Sequence, residues 1–283
     1  MNIETIAIIG AGTMGHGIAQ VAAQSGYRVQ LYDIEQRFVD RGLAAIASNL
    51  DKGIERGKLT AEQKRDALGR IAAGTDLRAA VASADLVIEA IPEQQSLKEA
   101  FYASLVPFAT PHCIFASNTS SLSIAGLAAL SGRPAQFIGM HFFNPVHIMK
   151  LLEIVVTDQT SAETLSTCKA VGERLGKECI VVKDFPGFAT SRLGVCLGLE
   201  AIRMLEQGVA SAADIDKAMT LGYAHPMGPL KLTDLVGLDV RLAIADYLHA
   251  QLGSEVFRAP ALLRRMVNEG RIGKKSGKGF YEW

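Results

Sequence analysis

Thr5-Ile6-Ala7-Ile8-Ile9, followed by Gly10-Ala11-Gly12-Thr13-Met14-Gly15, is the stretch that decides the fold. The first five residues are a short, continuous apolar run, as expected of a parallel strand covered on both faces. Behind the glycines, Ile18, Val21 and Ala22 recur at helical spacing up to a stop at Gly26. A second strand, Arg28-Val29-Gln30-Leu31-Tyr32, ends in Asp33. A lone Gly-x-Gly-x-x-Gly is a weak signal. Between a strand and a helix, with an acid about 20 residues on, it is a strong one.

Each position then has a physical task. Gly10 allows the tight turn, Gly12 lets the backbone approach a pyrophosphate, and Gly15 lets the helix lie close to the strand. The helix N-terminus offers unpaired N–H groups and a positive dipole end to the phosphates. The whole loop, Gly10, Ala11, Gly12, Thr13, Met14 and Gly15, is read as cofactor-binding. Asp33 would accept from the adenine-ribose hydroxyls and repel a 2′-phosphate, which favours NAD over NADP. Arg37 stands close enough to blur that preference. The plainer reading is a strand-turn-helix in which the glycines only make a turn, and the context disfavours it.

Composition sets the outer limits. The chain has 283 residues, room for two domains. Lys+Arg and Asp+Glu both number 29, so no net charge draws it to nucleic acid or an anionic membrane. Cys113, Cys168, Cys179 and Cys196 are scattered, with no Cys-x-x-Cys and no Cys/His cluster, so neither a metal site nor a disulfide framework is indicated. Free thiols fit a reducing, cytoplasmic setting. No basic n-region or long apolar run marks a signal peptide or a membrane span.

Residues 35–56 and 60–70 read as two polar helices around Arg56-Gly57-Lys58-Leu59-Thr60, with Thr60 and Gln63 spaced as a capping box. The hairpin is basic. A solvated, salt-bridged face explains most of its charges, but as an insertion it would also suit a phosphate-rich substrate tail. Ile71–Gly74 is a weak strand and Leu86–Ile91 a strong one. Glu89 lies inside the strong one, so it must be paired, hydrogen-bonded or at the exposed tip. Glu93, and Ser117-Asn118-Thr119-Ser120-Ser121 after Cys113–Ala116, fall at the carboxyl ends of strands, the ligand edge of such a sheet. The five polar residues could equally be a turn and helix cap.

His141 ends the strand that begins at Gln136, and Leu151-Leu152-Glu153-Ile154-Val155-Val156 follows after residues 142–150. That link is shorter than the roughly dozen residues a crossover helix needs, so the second strand is expected to run antiparallel. Glu153 is a charge among Leu and Val and needs a partner. His141 is the nearest in sequence. A buried carboxylate on an imidazole fixes its tautomer and makes it a better general base. A satisfied core histidine beside an edge glutamate is the alternative. The glycine loop favours the catalytic pair, because oxidising an alcohol needs a base beside the hydride acceptor.

Thr164–Leu175 reads helical and Cys179–Val182 as a last strand. Asp184-Phe185-Pro186-Gly187 breaks the pattern, and the boundary is placed there. The expected organisation is a Rossmann-like α/β domain over 1–184, mostly parallel with a helical hairpin insertion. An all-α domain over 185–283 follows. A long helix from about Phe188 to Glu206 carries a stripe with Leu193, Leu197 and Met204. Ser211 caps a short helix, and helical patterns follow near 229–252 and 260–270. Such stripes often meet a second copy, so a homodimer is expected. The terminal aromatics of the tail suggest docking.

These segments resemble one family. The glycine loop, Ser117–Ser121, His141-Phe142-Phe143-Asn144-Pro145-Val146, Met227-Gly228-Pro229 and Gly273-Lys274-Lys275-Ser276-Gly277-Lys278-Gly279-Phe280-Tyr281 are similar to the L-3-hydroxyacyl-CoA dehydrogenases, over essentially the whole chain. The length points to the short-chain, 3-hydroxybutyryl-CoA type. The resemblance implies that His141 is the general base, Glu153 its partner, and that Ser120 holds the substrate's 3-oxygen and touches the cofactor. It makes Glu93, Lys98, Asn144 and Lys275 cofactor contacts beside Asp33, and puts Asn49 and Arg56 on coenzyme A. One position departs from the pattern. After Pro186-Gly187-Phe188 the family usually has Asn-Arg, its asparagine helping to bind substrate, where this chain has Ser191-Arg192. A serine is shorter and lacks the amide. Two other functions remain open at this point: a dehydrogenase of a free hydroxy or sugar acid, and an inert NAD-binding structural protein.

Overall fold

The computed structural model describes residues 1–283, which form two compact units, Met1–Asp184 and Phe185–Trp283. Thr5–Ile9 (β1) leads through the glycine loop into Thr13–Gln24 (α1) and then Arg28–Tyr32 (β2). Gln36–Glu55 (α2) and Ala61–Gly69 (α3) make the hairpin, and Ile71–Gly74 (β3) follows. Leu77–Val81 (α4), Leu86–Glu89 (β4), Gln95–Leu105 (α5), Ile114–Ser117 (β5) and Ile124–Leu130 (α6) continue the alternation. Phe137–Phe142 (β6) and Leu151–Val156 (β7) join without a helix, and Ala162–Arg174 (α7) and Glu178–Lys183 (β8) complete the sheet.

The eight strands lie in the order β3-β2-β1-β4-β5-β6-β7-β8. β1 is central and buried at every position, which its unbroken apolar sequence requires. The chain winds outward one way through β2 and β3, then returns to β4 on the other side of β1. That reversal opens a crevice at the carboxyl ends of β1 and β4, where such sheets bind ligands. β7 runs antiparallel to β6, as the short link predicts, and β8 is parallel to β7. The predicted capping box is present: Thr60 Oγ1 accepts from Gln63 N, and Gln63 Oε1 accepts from Thr60 N.

The second unit is helical: Thr190–Glu206 (α8), Ala212–Gly222 (α9), Pro229–Val236 (α10), Leu238–Leu252 (α11) and Ala261–Asn268 (α12). Two expectations change here. The single pattern near 229–252 is two helices, split at Gly237, whose φ of 102° no helix accommodates. In α8 the buried residues include Val195, Leu199 and Ile202, whereas Leu193 is 71% exposed. A stripe of apolar letters does not say which of two neighbouring faces meets the core. No helix is long and apolar enough to cross a membrane.

The tail docks within this unit. Asp234, 1% exposed, accepts from Phe280 N, Tyr281 N and Trp283 Nε1, each at 2.9 Å. Tyr281 Oη donates to Asp216 Oδ2 at 2.7 Å, while the same carboxylate accepts from Leu230 N and Lys231 N in the first turn of α10. A Cβ at Gly279 would overlap the Asp234 carboxylate, so this tail glycine serves close approach. Asp234→Ala leaves three donors without their acceptor and is expected to cost about 2–4 kcal/mol. Denaturant unfolding measures that loss, and faster proteolysis at the C-terminus should accompany it.

Candidate active site

The ladder between β6 and β7 sets His141 opposite Glu153. His141 Nδ1–H donates to Glu153 Oε2 at 2.6 Å, and Glu153 is fully buried at 0% exposure. The register alone brings these two side chains onto one face, since directly opposed residues on antiparallel strands have neighbouring Cβ atoms. The His141 ring also lies against Phe143, centroids 4.4 Å apart. The carboxylate holds the imidazole in one tautomer and can stabilise its cation.

Beside this pair, Ser117–Ser121 leaves β5. Asn118 Oδ1 accepts from Phe142 N at 2.9 Å, tying the turn to the histidine strand. Glu93 Oε1 gathers the rest: it accepts from Thr119 Oγ1, from Ser120 N at 2.9 Å, and from Ser120 Oγ and Ser121 Oγ at 3.3 Å. Burial pushes the Glu93 carboxyl up, but the Lys98 charge and the hydrogen bonds from Thr119 and Ser120 outweigh it. The group ends below the ordinary glutamate value. Glu89 is fully buried and is partnered rather than exposed at a strand tip. It accepts from Lys98 Nζ, from Ile91 N at 2.9 Å and from Ser117 Oγ at 2.7 Å.

Across the crevice, the glycine loop borders a cleft of about 710 Å³ that Asp33, Ile91, Pro92 and Phe101 help to line. That is the size of a small-molecule or cofactor site. The three glycines differ in kind. Gly10 has φ 99°, and a Cβ there would come within 2.7 Å of Ala90 O; a Cβ at Gly15 would overlap Gly10 O. Gly12 has an ordinary φ of −67° and would meet nothing within 4 Å. The fold therefore requires Gly10 and Gly15, whereas packing does not require Gly12, which stands at the N-cap of α1 with open space above its backbone. Asp33 Oδ2 accepts from Ala11 N and Oδ1 from Ile34 N, both at 2.7 Å. A carboxylate has about four lone-pair sites, so ribose hydroxyls can still be accommodated.

The family model described as 3-hydroxyacyl-CoA dehydrogenase, NAD binding domain, matches residues 5–185, and that of the C-terminal domain matches 187–283. The chain belongs to the 3-hydroxyacyl-CoA dehydrogenase family. A probable 3-hydroxybutyryl-CoA dehydrogenase of Deinococcus radiodurans is 49% identical over 276 residues, 98% of this chain and 99% of that one. A protein of the same description from Bacillus subtilis is 44% identical over 283 residues, 100% and 98% of the two chains. The crystal structure of (S)-3-hydroxybutyryl-CoA dehydrogenase from Ralstonia eutropha superposes with a TM-score of 0.97 at 42% identity, covering 100% and 99%.

The first of the two matched domains is the family's NAD-binding domain, and the cofactor is NAD. The remaining residues named from the resemblance are distributed as follows. Asn49, on α2, donates from Nδ2 to Gln20 Oε1 at 3.2 Å, and Arg56 caps the exposed end of that helix. Asn144 is exposed in the link between β6 and β7. Lys98 is 1% exposed, with its ammonium on Glu89, Glu93 and Ile91 O. In the second unit, Lys275 pairs with Asp239 at 2.6 Å, and Ser191 stands in the first turn of α8. Sequence reading did not find the work of Asn118, Thr119 and Ser117. Their polar run flagged them, but only the three-dimensional position of Glu93 and Glu89 separates a clamp from a turn.

Proposed function

We propose that this protein catalyses the reversible, NAD-dependent oxidation of an (S)-3-hydroxyacyl-CoA, with 3-hydroxybutyryl-CoA as the expected substrate, to the 3-oxoacyl-CoA. The observation that carries it is the buried His141–Glu153 pair beside a dinucleotide-binding crevice. The names borne by relatives at 40–49% identity over the full length support the substrate class. Bound NAD supplies the hydride acceptor. His141 takes the proton from the 3-hydroxyl through Nε2, since Nδ1 is held by Glu153. Glu153 stabilises the imidazolium so formed. Ser120, positioned by Glu93, is assigned to the substrate oxygen and the cofactor. Asn49 and Arg56 on the hairpin are assigned to coenzyme A, and Ser191 to the acyl side. Asn144 and Lys275 are assigned to the cofactor.

A spectrophotometric assay tests this reading. NADH oxidation with acetoacetyl-CoA should be fast, and with free acetoacetate near background. Equal rates would move the protein to free hydroxy acids; no oxidation with any substrate would make it inert. NADPH should be the poorer reductant, because Asp33, which lines the cleft, is assigned to the ribose hydroxyls and Arg37 is engaged by Glu35 at 2.7 Å.

A homodimer is part of the same proposal. Leu193, Leu232, Val236 and Val240 of the helical unit stay exposed, an apolar surface that a second copy would cover. Light scattering that finds only monomer would exclude it. A reducing cytoplasm as the setting rests on four cysteines, none in a disulfide.

A further inference from the structure

We propose that Lys177 is a positioning residue: from the junction of α7 and β8 it holds the segment that carries Asn144, and so sets where the reacting end of the cofactor lies against His141. This rests on the dehydrogenase reading above for the tasks of Asn144 and His141, and on geometry for the rest. The backbone of the lysine is fixed first. Gly176, with φ 73°, ends α7; Gly176 N donates to Glu173 O and Lys177 N to Gly172 O, both at 3.0 Å. These are the two bonds by which a left-handed glycine closes a helix. Lys177 therefore leaves α7 in one direction, and its side chain, 8% exposed, reaches the link between β6 and β7.

That link, residues 143–150, holds one helical turn. Ile148 N and Met149 N both donate to Pro145 O at 2.9 Å. A turn this short leaves its later carbonyls without helical partners. Lys177 Nζ serves two of them: it donates to Val146 O, and to Met149 O at 2.7 Å. Burial pulls the ammonium below the ordinary lysine value, and no neighbouring carboxylate offsets that effect. The side chain of Val146 is buried against α1, where a Cβ at Gly17 would come within 2.9 Å of Val146 Cγ2. Glu178 N donates to Lys150 O at 2.8 Å, and Asn118 Oδ1 holds Phe142 N at the other end. Between Phe142 and Val146, Asn144 and Pro145 are exposed.

Asn144 follows His141 by three residues, and the cofactor atom that takes up hydride must lie beside the base. The part of the cofactor within reach of Asn144 is therefore the end that reacts. Without the ammonium, two carbonyls turn to water and the turn beside Asn144 shifts. The ladder between β6 and β7 still keeps His141 opposite Glu153. A misplacement of about 1 Å at this point weighs on the hydride step more than on cofactor affinity.

The test compares full-length wild type, Lys177→Met, Lys177→Arg, Asn144→Ala and the double variant Lys177→Met/Asn144→Ala, assayed with acetoacetyl-CoA and NADH. NADH binding is followed by nicotinamide fluorescence, and hydride transfer by the isotope effect from NADH deuterated at C4. Lys177→Met should lower kcat by about 10- to 100-fold and raise the isotope effect, with NADH affinity changed by no more than about threefold. Lys177→Arg keeps a charged donor for the two carbonyls and should recover most of the loss. In the Asn144→Ala background, Lys177→Met should add little. A fall in kcat undiminished in that background, with an unchanged isotope effect, would overturn the proposal and leave Lys177 as a support of the fold alone. Wild-type protein inactive on every acyl-CoA would defeat the dehydrogenase reading instead. The emission of bound NADH would then still decide the role of Lys177: it should differ between wild type and Lys177→Met, and not between the same pair lacking Asn144.

Discussion

His141→Gln should reduce kcat by about a thousandfold, or about 4 kcal/mol of barrier, while leaving NADH affinity within a factor of two or so. The imidazole is the proton acceptor in the proposed reaction, and its Nδ1 is already engaged by Glu153 at 2.6 Å. Glutamine keeps the size and a hydrogen-bonding amide but cannot take the proton. The effect should therefore fall on the chemical step and not on binding. Glu153→Gln should cost less, because the imidazole remains, but the amide can no longer stabilise the imidazolium. Steady-state kinetics on the same preparations separates the two. Full turnover in His141→Gln would remove the histidine from the mechanism.

The second large effect is a contrast between two glycines of the same loop. Gly12→Val is expected to weaken NAD binding more than about 100-fold while costing no more than about 1 kcal/mol of stability, the loss of an N-cap glycine, because a Cβ there meets nothing within 4 Å. Gly15→Ala is expected to destabilise the protein by about 3 kcal/mol or more, because its Cβ overlaps the carbonyl of Gly10. Calorimetric NAD titration and thermal unfolding of both variants check this. Equal loss of stability in the two would mean that Gly12, too, is there for the fold.

The parts of the molecule legible in its sequence were those written in local periodicity. The apolar run of β1, the glycines opening α1 and Asp33 closing β2 each follow from neighbours a few residues away. The pairing of His141 with Glu153 crosses a loop, yet it was accessible because period two and a short link leave few arrangements. Glu89 marked itself as needing a partner, but Lys98 could not be named as that partner. Its direction depends on the rotation of α5 against the sheet, which no spacing reveals. The same holds for Leu193, whose exposure depends on which face of α8 meets α10 and α11. Gly237 was hidden in an otherwise continuous helical pattern because the pattern registers side chains, whereas the break lies in the backbone.

The antiparallel setting of β7 bears on how this site can be altered. His141 and Glu153 are spaced by a ladder of main-chain hydrogen bonds, and the length of the segment joining them does not enter. Residues 147 and 148 are exposed and precede Met149 and Lys150, whose carbonyls accept from Lys177 Nζ and Glu178 N, so insertions at 147–148 should leave the dyad in place and offer a route to reshaping the surface around it. A slip of β7 by a single residue would be a different event. It would turn Glu153 to the far side of the sheet and bring Leu152 or Ile154 opposite the imidazole. Tolerance to loop grafting and intolerance to strand shift are thus two expressions of one backbone arrangement.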